Sequence, residues 1–142
     1  MAAFVMIEAF VEHLAEGAHD LGADTLKIAL TNTAVDETSD ALLTDLTEIT
    51  AENGYSSGGS AVTISSSTQT DGTYKLVLAD LVFTASGGSF GPLRYAVLYN
   101  DTPSSPLNPL IGYWDFGSSV TIADTETFTC DFNATTGVLT IA

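Results

Sequence analysis

The sequence predicts a mainly β protein, an antiparallel β-sandwich or jelly-roll-like fold with a short N-terminal helix or arm and one further short helix. Three observations predict it. From Gly54 onward, short β-rich runs alternate with clusters of Gly, Ser, Asp and Pro, and no helical periodicity intervenes. Within such runs the apolar residues alternate, as Phe128, Cys130 and Phe132 do with Thr127, Thr129 and Asp131, which is the period of a half-buried strand. Finally, 142 residues without an internal repeat or linker suit a single domain spanning 1–142, large enough to bury roughly 68–70% of its unfolded surface without disulfides.

The elements follow in order. Phe4, Ile7, Val11 and Leu14 recur at helical spacing among Glu8, Glu12, His13 and Glu16, which predicts a helix from about Phe4 to Glu16 stopped by Gly17. The alternative is an edge strand over 4–10. Thr25–Thr31 reads as a strand with Leu26, Ile28 and Leu30 on one face and Lys27 on the other. A polar loop over 32–40 leads to a short helix over 40–48, capped by Ser39 and striped by Leu42, Leu43, Leu46 and Ile49. Strands are then predicted near 60–65, 73–79, 81–85, 93–100, 109–116, 119–122, 126–132 and 137–141. Asp71-Gly72 is a hairpin signal, and Thr135-Thr136-Gly137 a second turn.

Charge narrows the function classes. Eighteen acidic side chains face three basic ones, Lys27, Lys75 and Arg94, for a formal net charge of −15. Such a chain repels phosphate backbones and anionic lipid, so no nucleic-acid or membrane partner is expected. Only 15% of residues are charged and 45% are hydrophobic, unlike a disordered tail. No apolar run reaches a membrane span. The apolar N-terminus has no basic flank and is interrupted by Glu8 and Glu12, so it reads as part of the mature fold rather than a signal peptide. The sequons at Asn100 and Asn133 then carry no meaning.

Catalytic patterns fail on context. Gly54-Tyr55-Ser56-Ser57-Gly58 and Gly87-Gly88-Ser89-Phe90-Gly91 match G-x-S-x-G, yet a nucleophile elbow needs a strand before it and a helix after it, and both are followed by strand-like runs. His13 and His19 are six apart, so one helix would not put them on one face, and neither sits in a metal motif. Cys130 has no Cys partner and reads as a buried hydrophobe. The loop carboxylates (Asp20 and Asp24; Asp36, Glu37 and Asp40; Asp124 and Glu126) lack EF-hand spacing and read as solvated acidic surface. Trp114 shares a strand face with Gly112 and Phe116, opposite Ile111, Tyr113 and Asp115. That face is expected in the core rather than as a sugar platform. No enzyme activity, catalytic residue, metal or cofactor is therefore predicted.

Five segments taken in order carry a resemblance. They are Gly22-Ala23-Asp24-Thr25-Leu26-Lys27-Ile28-Ala29-Leu30; Asn53-Gly54-Tyr55 with Gly58-Gly59; Phe83-Thr84-Ala85-Ser86-Gly87-Gly88; Pro92-Leu93-Arg94-Tyr95-Ala96-Val97-Leu98-Tyr99; and Gly112-Tyr113-Trp114-Asp115-Phe116-Gly117. Together they resemble a family of small structural proteins of tailed-phage particles, capsid decoration (cement) proteins among them. The resemblance runs from about residue 4 to the end. It implies a non-enzymatic virion component on the outer surface of the phage head, with the major capsid protein as partner and self-association as a homotrimer. It leaves open a tail-associated or host-attachment component that binds a glycan. If a trimer forms, the N-terminal arm is the expected contact, through Phe4, Ile7, Phe10, Val11 and Leu14.

Overall fold

The computed structural model describes residues 2–142. The chain runs β1 (Phe4–Met6), α1 (Glu8–Ala15), β2 (Leu26–Thr31), a 3-10 turn (Leu43–Asp45), β3 (Ser60–Ala61), β4 (Ile64–Thr70), β5 (Thr73–Leu78), β6 (Leu81–Thr84), β7 (Phe90–Asn100), β8 (Leu110–Ile122), β9 (Thr127–Cys130) and β10 (Leu139–Ile141). Strands pair as a five-stranded sheet β1-β8-β7-β2-β3, a three-stranded sheet β10-β5-β4 and a pair β6-β9. Every pairing between these strands is antiparallel. The fold is mainly β with one α-helix, as the strand density predicts, and no pairing among the described residues closes it into a barrel.

The centre is the long β7–β8 pair. Tyr95 to Asn100 and Leu110 to Trp114 are buried at every position, so both sheet faces are covered there. Alternation therefore fails where it was expected to mark one buried face: Ile111 and Tyr113 are as buried as Trp114. The apolar residues of both faces join one cluster with Leu76, Leu78, Phe83, Cys130 and Leu139 from the smaller sheets. Each fully buried Leu or Phe contributes about 1.5–3 kcal/mol. Gly112 sits inside β8 because β1 crosses it closely. A Cβ there would strike the Phe4 ring and the Val5 carbonyl, so a residue that weakens an ordinary strand is required here.

Several elements differ from the sequence expectation. The predicted helix over 4–16 is a strand first: Phe4–Met6 pairs with Trp114–Gly112, and Ile7 N–H donates to the Ile111 carbonyl (3.0 Å), so helix begins only at Glu8. The predicted helix over 40–48 is one 3-10 turn. Its main chain is committed across the fold, with Leu110 N–H donating to Ala41 O (2.9 Å) and Leu43 N–H to Asn108 O (3.0 Å). The Asp45 carboxylate, rather than Ser39, takes up the free Ala41 and Leu42 amides, each at 2.9 Å. The run 60–65 splits, β3 joining the large sheet and β4 the three-stranded one. The two strands expected over 109–116 and 119–122 are one, β8. The Asp71-Gly72 hairpin forms as predicted, with φ of 52° and 83° at its two turn residues.

β2 has a neighbour on its outer edge only at Lys27 and Ile28, where β3 pairs with it. Beyond that the loop over 46–58 stands in for a strand. Ile49 N–H donates to Leu30 O (3.0 Å), and Leu30 N–H donates to the Tyr55 hydroxyl (3.0 Å). That hydroxyl donates in turn to Glu48 Oε1 (2.6 Å), which also accepts Gly58 N–H (2.8 Å). Burial and Glu48 push the Tyr55 phenol far above its usual range, so it stays protonated and able to donate. Tyr55→Phe strips the partner from the buried Leu30 amide. The expected loss is about 1–3 kcal/mol in a denaturant unfolding titration; a loss below about 0.5 kcal/mol, the scale of an unremarkable surface change, would mean the clasp is not needed.

Candidate functional site

The residues that suggested chemistry are placed in structural roles. Neither G-x-S-x-G segment leads into a helix: 54–58 is a looped segment, and 87–91 enters β7 directly. Gly54 is explained by its close approach to the Thr84 carbonyl, which a side chain would obstruct. Asn53 Nδ2 donates to Ser89 O (2.7 Å), tying the two matching loops together. Cys130 is fully buried, and burial raises its thiol pKa to about 12, so no thiolate forms near neutrality. Trp114 is 3% exposed and wedged between Phe4 (5.1 Å between centroids) and Phe132 (5.2 Å), which removes it as an open platform.

The N-terminal arm is docked on its own chain. Of the five residues expected as subunit contacts, Ile7 and Phe10 are buried in the core, Phe4 and Leu14 are half-buried, and only Val11 is exposed, at 60%. The exposed apolar arm that the sequence suggested finds its partner intramolecularly, in β8.

The two histidines do meet, against the expectation from their spacing. The helix ends at Ala15, and the turn closed by Ala18 N–H to His13 O (2.8 Å) folds the chain back, leaving the rings 6.4 Å apart. His19 Nδ1 lies 3.1 Å from Asn100 Nδ2. Asn100 Oδ1 accepts Thr102 N–H (3.0 Å), and its Nδ2 donates to Asp24 Oδ2 (2.7 Å), which fixes the amide orientation. His19 Nδ1 must then be the acceptor, so the ring is neutral and its proton sits on Nε2. His19 Nε2 and His13 Nδ1 are buried without partners. No group of three or more metal-ligating side chains is present among the described residues.

All three basic side chains are engaged. Arg94 makes a bidentate pair with Asp115 (2.8 and 3.1 Å), Lys27 lies 3.1 Å from Asp101, and Lys75 donates to Thr135 O (2.9 Å). The acidic loops are tied to backbone instead. Asp20 N–H donates to the Asp24 carboxylate (2.9 Å) and Asp36 N–H to that of Asp40 (2.8 Å), while Asp20 and Asp36 accept from Gly22 and Thr38 N–H. Asp80, Asp124 and Glu126 accept the amides of Phe132, Gly87 and Ala123. These carboxylates, expected to be merely solvated, fasten the loops. Hydrogen bonds from Thr38 hold the Asp36 carboxyl below the usual range, as those from Ala41 and Leu42 hold Asp45.

Two surface features stand out against this acidity. The first is the outward face of the three-stranded sheet. Register places Thr68 opposite Lys75 and Thr70 opposite Thr73, with Thr140 across from Lys75 on the other side. The concavity over this face, about 520 Å³, is lined by Ser and Thr residues together with Lys75, Val77 and Ala134, and contains no carboxylate. The second is a pocket of about 420 Å³ between the N-terminal segment and the turn before β10. Neither announced itself in the sequence, because Ser and Thr runs are ordinary loop signals until pairing register gives them a face. No helix among the described residues is long and apolar enough to cross a membrane. No family model, no curated protein and no solved structure matches the chain.

The His19 geometry sets a pH dependence. Burial, with His13 beside it and Asp24 opposing, lowers its pKa from 6.5 to about 4. Between those values the unfolded chain binds a proton that the folded chain refuses, so stability falls as the pH drops through that window. The carboxylates with lowered pKa act only below about 4, since their ordinary value is 3.8. Unfolding midpoints are expected to fall between about pH 7 and pH 5, and His19→Gln is expected to flatten that slope. An equal slope in the variant would contradict the assignment.

Proposed function

We propose that this chain is a non-enzymatic structural protein of a phage particle, a capsid decoration protein that binds the outer surface of the major capsid protein shell and stabilises the head. The observation that carries the reading is the acid-free face of β4, β5 and β10 on a chain of net charge −15. Like charge on the rest of the surface opposes close approach of another acidic protein and slows association of free subunits in solution. This face carries hydroxyls and a single cation, Lys75, which already donates to Thr135 O, so it can be covered without stranding a carboxylate, and interface centres are poor in charge. The resemblance to small tailed-phage virion proteins points the same way, and adds a homotrimer to the reading. The fold is read in finer terms as a sandwich, jelly-roll-like in its general build. In its favour, the inward residues of the five-stranded and three-stranded sheets belong to one core.

Binding through several subunits at once would supply avidity from individually weak contacts. The purified protein is expected to co-sediment with undecorated heads at micromolar concentration. Thr68→Glu with Thr73→Glu places charge on the face, at exposed positions that leave the core intact, and is expected to weaken binding at least about tenfold. No co-sedimentation of the wild-type chain would overturn the proposal. Equal binding by the folded double variant would overturn the choice of face.

A further inference from the structure

The pocket between the N-terminal segment and the turn before β10 has a composition of its own. Its apolar part is the half-buried Phe4 ring, packed against the buried Trp114 with Phe132 buried beside it, and Asp131, Asn133 and Thr136 line the rest. Asn133 Oδ1 already accepts Thr135 N–H (2.8 Å) and Thr136 N–H (2.9 Å), so this amide is held by the turn with its N–H groups left to donate. The Asp131 side chain is exposed and accepts no hydrogen bond from the described residues. A carboxylate acceptor, an amide donor and a hydroxyl that does both therefore line one concavity beside Phe4.

That set discriminates between ligand classes. An anion would meet Asp131 and a field of net charge −15 with no cation in the wall. An ammonium group offers only donors, leaving the Asn133 N–H groups unmatched. A divalent cation would find one carboxylate where several oxygen ligands are needed. Sugar hydroxyls both donate and accept, and a sugar's C–H groups can rest against the half-buried Phe4 ring. We infer that this pocket is a subsite for a neutral saccharide, bound by Asp131, Asn133 and Thr136 beside Phe4. The inference stands apart from the capsid reading, since it uses a different face and holds for a particle protein at head or tail.

Trp114 is the only tryptophan in the chain, so its emission reports on this pocket. The probes are neutral hexoses and their disaccharides, with sialic acid as the anionic control. Titration of the whole protein is expected to shift Trp114 emission saturably in the millimolar range, where a shallow polar site should bind. The shift is expected with neutral sugars and not with sialic acid. Asp131→Ala and Thr136→Val, both at exposed positions, are expected to weaken binding at least about tenfold in combination while leaving the unfolding midpoint unchanged. No saturable response at tens of millimolar sugar would overturn the inference, as would stronger binding of sialic acid or an unaltered response in the folded double variant.

Discussion

The scarcity of cations is the constraint on which the rest of this structure depends. Three basic side chains cannot neutralise eighteen acidic ones, and all three are already engaged, two with carboxylates and one with a backbone carbonyl. Many of the remaining acids find another partner in backbone amides, either of their own loop or of one packed beside it. A carboxylate accepting backbone N–H is a charge-assisted bond, shorter and stronger than a neutral one. The acidity that repels phosphate from outside thus holds together the irregular segments inside, from Asp20–Asp24 through Asp45 to Asp124 and Glu126.

The core imposes the complementary requirement. β7 and β8 are buried on both faces, so their edges must be satisfied by neighbours. β1 does this on one side, at the cost of a glycine at position 112. β2 does it on the other, and its own edge is completed by the short β3 and, beyond it, by the Tyr55 hydroxyl at Leu30. A loop with little regular structure thereby becomes part of the sheet.

Much of the fold was legible because strand period and turn chemistry are local. The Asp71-Gly72 hairpin, the Thr25–Thr31 strand and the alternation around Cys130 needed nothing from distant residues. The helix expected over 40–48 was not legible, since its stripe of Leu is local while the competing bonds to Asn108 and Leu110 are made across the fold. Helical spacing in Phe4–Ile7 likewise lost to pairing with β8. The meeting of His13 and His19 depends on a turn after Ala15 that their spacing does not encode. The loop fasteners did leave a signal: Asp20 and Asp24, and Asp36 and Asp40, repeat one four-residue spacing, and in each pair the second carboxylate accepts the amide of the first residue. The hydroxyl face left none, because Ser and Thr at alternate positions become a surface only once the register is known.

The account of function rests on where charge is absent. A chain that carries acid over most of its loops keeps one sheet face free of it, and that face is where a protein surface is covered at least cost. The most direct measurement is a reconstruction of the native particle by electron cryomicroscopy. The account predicts this chain on the outer surface of the head, with Thr68, Thr73 and Thr140 turned toward the coat protein and the acidic loops toward solvent. Finding the chain in the interior of the head, or absent from the particle, or seated with its acidic loops against the coat, would contradict it.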